Sequence, residues 1–100
     1  MSDVFLEIVV QAAEAAAAGI DSRDEIEEPL EAALSATGVG EVTGGGGGSG
    51  VYIVDVEIGT EEQFDEALAL IRGALQDMKV PPSTVIKRHK PKELTLPVYV

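Results

Sequence analysis

The chain has no cysteine and no tryptophan, only four aromatic residues, and very little positive charge before residue 79. Without cysteine there is no disulfide, no thiolate metal site and no cysteine nucleophile. Phe5, Tyr52, Phe64 and Tyr99 are the whole aromatic supply, so the core has to be built from Val, Ile, Leu and Ala. No segment approaches the roughly 18–20 apolar residues of a membrane span. The first ten residues, MSDVFLEIVV, carry an acid where a signal peptide carries a basic region. These absences predict a cytoplasmic protein that engages no membrane.

What is present is one domain's worth of chain. The 100 residues are 45% hydrophobic and 25% charged, too apolar for a disordered segment and enough for one modest core over residues 1–100. The net charge of −11 is unevenly spread: residues 1–78 hold 17 acids against Arg23 and Arg72, giving −15. Residues 79–100 hold Lys79, Lys87, Arg88, Lys90 and Lys92 against Glu93, giving +4. Such a field opposes phosphate backbones and anionic lipid, and favours a basic protein as partner. The plainer role of the same charge is to keep a small domain in solution.

Periodicity supplies the elements. Val4, Leu6, Ile8 and Val10 alternate with Asp3, Phe5, Glu7 and Val9, the period of a strand. The alanine-rich residues 11–20 read as a loosely packed helical turn ended by Gly19. Ser22 with Glu25 forms a capping-box signature, and Ile26, Leu30, Ala33 and Leu34 then share one helical face as far as Thr37. Pro29 inside that helix predicts a kink or a late start, and Gly38 ends it. Val39–Thr43 reads as a short edge strand. Gly44–Gly50 reads as a flexible hairpin tip, because glycine pays the largest entropy for regular structure, or as a place where another backbone approaches closely. VYIVDVEI, residues 51–58, is the clearest strand, with Tyr52, Val54, Val56 and Ile58 on one face. Thr60 and Gln63 form a second capping box, followed by the amphipathic spacing of Phe64, Leu68, Ile71, Leu75 and Met78. Pro81 and Pro82 stop that helix, Thr84–His89 reads as a fourth strand, and Leu94–Val100 as a last extended piece.

The order predicts an α+β fold of the ferredoxin-like, split β-α-β-β-α-β kind, a two-layer sandwich with an extra C-terminal strand. Strands one and three belong in the centre of that sheet, and strands two and four at its edges. Gly38–Gly50 followed by VYIVDVEI, then a helix ending in VPPSTVI, resembles small bacterial ferredoxin-like domains of the immunity-protein type over residues 20–88. The resemblance implies a protein that neutralises a toxin by binding it, and it assigns no site residue.

Two surfaces stand out as candidate sites. Helices cover one face of such a sheet, which leaves Phe5, Glu7, Val9, Ile53, Asp55 and Glu57 on the other. Lys87 and His89, or Arg88 in the alternate register, approach them from the fourth strand. Mixed apolar and charged side chains there suit either an interface or a solvated face with cross-strand ion pairs. The second surface is the run Gly44, Gly45, Gly46, Gly47 and Gly48. Gly45, Gly47 and Gly50 satisfy G-x-G-x-x-G, but the run leads into a strand instead of a helix N-terminus, so no dipole awaits a phosphate.

His89 with Glu7, Asp55 and Glu57 sketches a metal or His–carboxylate site, but Arg88 and Lys90 make its surroundings positive. The basic run KRHKPK, residues 87–92, has no interleaved aromatics for stacking on nucleic acid. The expectation is therefore no catalytic, metal or cofactor site and no nucleic-acid partner. A non-enzymatic, acidic protein-binding module, an inhibitor or immunity protein facing a basic partner, accounts best for the residues. The alternative is a small-ligand or regulatory domain that forms a homodimer through its sheet.

Overall fold

Alternation in the first segment becomes a central strand. The computed structural model describes residues 3–99. In it β1 (Val4–Gln11) turns Val4, Leu6, Ile8 and Val10 fully inward, while Phe5, Glu7 and Val9 remain half-buried on the opposite face. The alanine-rich stretch forms α1 (Ala12–Ala17), which buries Ala15, and Gly19 follows at φ 92°. α2 (Asp24–Thr37) buries Ile26, Leu30 and Leu34. Half of its capping box is made: Glu25 Oε2 accepts the backbone N–H groups of Asp21 at 2.6 Å and Ser22 at 2.9 Å. The Ser22 hydroxyl is not the cap, because Arg23 occupies that position in helical conformation. α2 is continuous across Pro29, and Gly38 closes it at φ 71° with its N–H on the Leu34 carbonyl.

The glycine run departs from expectation. It is not a hairpin tip: β2 spans Gly40–Gly48, and Gly44–Gly48 pair residue for residue with Val51–Asp55 of β3 (Val51–Ile58). The hairpin is closed by two residues only, Ser49 at φ 52° and Gly50 at φ 79°. Positive φ at both central positions is the type I′ turn, whose twist matches the flanking strands. The five glycines are held because β3, a strong strand, supplies partners on a register that this turn dictates.

After a short 3-10 turn (Glu61–Gln63), α3 (Phe64–Asp77) buries Ala67, Ile71 and Leu75, with Phe64, Leu68 and Met78 at the margin of the core. β4 (Val85–Lys90) and β5 (Leu94–Pro97) complete a five-stranded antiparallel sheet in the order β2-β3-β1-β4-β5. The fourth strand is therefore not an edge, since β5 pairs along its outer side. α3 and the segment after it hold that last piece: Arg72 Nε donates to the Pro97 carbonyl at 3.1 Å, Gln76 Nε2 to Val98 at 2.9 Å, and Tyr99 Oη to Val80 at 2.6 Å. Val100, Met1 and Ser2 lie outside the described residues.

One apolar cluster joins the inward residues of the sheet to Ile26, Leu30, Leu34, Ala67, Ile71 and Leu75. The helices thus cover one face, and the other is open. Among the described residues no helix is long and apolar enough to cross a membrane.

Candidate functional site

The open face is organised by register. Phe5 stands opposite Glu57, Glu7 opposite Asp55, and Val9 opposite Ile53. All six predicted face residues are therefore brought together, as three cross-strand pairs on the two central strands. β2 extends the rows with Glu41 opposite Glu57, Gly44 opposite Asp55 and Gly46 opposite Ile53. β4 extends them with Lys87 opposite Glu7 and Val85 opposite Val9. The result is an acidic band from Glu41 and Glu57 to Asp55 and Glu7, beside an apolar band of Val9, Ile53 and Val85.

The pairing of Ile86 with Ile8 decides between the basic candidates: Arg88 follows buried Ile86 to the core side, Lys87 and His89 take the other face, and the register then shifts between Leu6 and Phe5. Phe5 pairs with Lys90 and Leu6 with Arg88, so His89 is an unpaired extra residue. Its imidazole Nε2 lies 2.7 Å from Glu7 Oε1, and its ring lies 5.7 Å from that of Phe5, on the open face. Arg88 goes to the helix side, where its guanidinium sits 4.9 Å over the Phe64 ring and its Nε donates to the Lys92 carbonyl.

Asp55 is the most perturbed group. Its Oδ1 is buried without a hydrogen-bond partner. Burial pushes its carboxyl above the ordinary value of 3.8, repulsion from Glu7 and Glu57 adds to this, and Arg23 and His89 partly offset it. The reach of Arg23 depends on the glycines. Its side chain lies against Gly45, where any Cβ would collide with the guanidinium. Arg23 Nη1 is 3.2 Å from Glu27 Oε2, although the two buried atoms are not aligned as a hydrogen bond.

A raised carboxyl pKa means that the folded state prefers the protonated acid. That contribution is complete below the ordinary value of 3.8 and is lost as pH rises through the folded value. Asp55→Asn is accordingly expected to stabilise the protein near neutral pH by about 0.2–1 kcal/mol, the worth of a like-charge cross-strand pair. The gain should shrink towards pH ~3, where the native aspartate is itself neutral. Urea unfolding of both proteins across that range checks it; a gain constant with pH would mean that charge is not the cause.

Three residues of this surroundings escape a reading by period alone. Glu41 and Val85 needed the register. Arg23 offered one signal, being one of only two basic residues before residue 79. Among the described residues no group of three or more His, Asp or Glu side chains is arranged to hold a metal ion. Comparison of the chain with protein-family models, with curated proteins and with solved structures gives no match.

Proposed function

We propose that the chain is a non-enzymatic protein-binding module that meets a basic partner through its open sheet face, as an inhibitor or immunity protein would. Its architecture in this reading is the ferredoxin-like split β-α-β-β-α-β arrangement with one added C-terminal strand. The observation that carries it is the direct opposition of carboxylates, Glu7 to Asp55 and Glu41 to Glu57. Like charges facing one another across strands destabilise an isolated sheet. A lysine or arginine from a partner would add to the relief that His89 and Lys87 already give Glu7, and the neighbouring Val9, Ile53 and Val85 would add apolar contact. A carboxyl raised as that of Asp55 is belongs to the class of groups that gather at functional sites.

Two further considerations favour binding over the alternatives. A symmetric dimer whose axis passed through this acidic band would set the acids of one copy against those of the other. The His89–Glu7 pair, the one element with catalytic character, has no serine or cysteine beside it on β1, β3 or β4.

The test is capture by the tagged protein from its source cells, at low and at high salt, read by native mass spectrometry. The wild type is compared with Glu7→Gln/Asp55→Asn/Glu57→Gln, whose fold is checked by circular dichroism. A basic protein retained at low salt, shed at high salt and lost with the triple variant is the expected result. Retention indifferent to both salt and variant would overturn it, as would recovery of a homodimer alone.

A further inference from the structure

The sheet has two edges, and they are guarded very differently. β5 is four residues long and contains Pro97, which has no N–H to offer. The carbonyls of Pro97 and Val98 are occupied by Arg72 and Gln76. β2 is nine residues long and carries no proline, lysine or arginine, the usual protections of an edge. It is guarded at its start by a register shift at Thr43 and by Glu31, whose Oε2 accepts the Val42 N–H at 2.8 Å. Beyond Val42, among the described residues, no side chain bonds to the strand.

Hairpin geometry tells which backbone groups are unclaimed. Gly48 and Val51 flank the two-residue turn and form its closing hydrogen-bonded pair. Antiparallel alternation then turns the N–H and C=O of Gly47 and Gly45 outward. Because these residues are glycines, the strand brings no side chain of its own towards an incoming strand, and the nearest one is Arg23, which lies against Gly45 and is paired with Glu27. Charge flanks the edge on both sides. On the helix side Glu27, Glu28 and Glu31 line a depression with Ala32 and Val42. On the open side Glu41 stands opposite Glu57. A second copy's β2 would bring the same acids and be repelled.

We propose that the outer edge of β2 between Thr43 and Gly48 is a strand-addition site for an extended segment of a partner protein bearing lysine or arginine. Main-chain bonds to Gly45 and Gly47 hold the segment, and its side chains alternate between the two acidic flanks. The inference rests on the proposed function for the basic character of the partner, and it locates contact at the edge instead of the face.

The probe is a synthetic peptide of alternating lysine and valine about eight residues long, a usual strand length. It is titrated into the isotope-labelled full chain and followed by NMR. A control peptide of equal charge carries N-methyl groups on alternate amides. The expected result is displaced amide signals over Gly44–Gly48, slowed hydrogen exchange at Gly45 and Gly47, and binding weakened roughly tenfold or more by methylation. Equal binding of both peptides, with changes spread along α2, would overturn the inference, since charge alone would explain it. Changes at Phe5, Val9 and Ile53 with none at Gly44–Gly48 would also overturn it, while leaving the open-face reading standing. Absence of binding would likewise refute the edge, whereas the open-face reading is decided separately by capture with the triple variant.

Discussion

Gly45→Ala is expected to destabilise the protein by about 2–5 kcal/mol, whereas Gly46→Ala, one residue on, should be neutral or stabilising by up to about 1 kcal/mol. The two glycines are adjacent in one strand and look interchangeable in the sequence. Gly45 has φ 147°, a conformation L residues rarely adopt, and a Cβ there would be driven into the Ile53 carbonyl oxygen and the Arg23 guanidinium. The carbonyl belongs to the paired strand and cannot move without opening the hairpin. Displacing Arg23 would also withdraw its charge from Asp55, leaving that buried carboxyl with Glu7 and Glu57 less opposed. At Gly46 no atom lies within 4 Å of the added carbon, so alanine brings only the relief of chain entropy. Urea denaturation of both variants decides the matter. Equal effects would mean that the glycine strand is not paired on this register.

The second large effect belongs to the core. Ile8→Ala is expected to cost about 2–5 kcal/mol, a substantial part of the roughly 5–15 kcal/mol that stabilises a domain. Ile8 is wholly buried, and its register partners Val54 on β3 and Ile86 on β4 are buried with it. All three belong to the core cluster with α2 and α3, so the space left by a shortened side chain is walled by both layers. The neighbouring Val9→Ala should cost about 1 kcal/mol, because Val9 is half-buried on the open face. The ratio tests which way β1 faces. Comparable losses from thermal unfolding would mean that both faces are covered.

Much of the fold was legible in residue patterning. β1 and β3 follow from alternation, and α2 and α3 from helical spacing, with a stop signal at Gly38; α3 ends at Asp77, ahead of the prolines, where Lys79 at φ 61° turns the chain. β1 and β3, two of the three interior strands, could be named because they are the most apolar, whereas the expected topology puts β4 at an edge. The six residues of the candidate face follow from the same alternation, since a strand that buries Val4, Leu6, Ile8 and Val10 must turn Phe5, Glu7 and Val9 away. These are local properties: the period of a segment decides which side chains share a face, whatever the segment later packs against.

The remainder was settled by which strands and side chains meet. Glycine has a poor strand propensity, yet Gly44–Gly48 are a strand because β3 lies beside them across a two-residue turn. That Lys90 and not His89 stands opposite Phe5 depends on a single-residue shift that no periodicity announces. The last strand closes over β4 because α3 supplies Arg72 and Gln76 to its carbonyls. Arg23 reaches the neighbourhood of Asp55 only because side chains are missing from the strand between them. Faces and charge follow from short-range sterics and composition. Register, edges and the carboxylate pairs were decided by contacts between residues far apart in the chain, whose energies exist only once the sheet has formed.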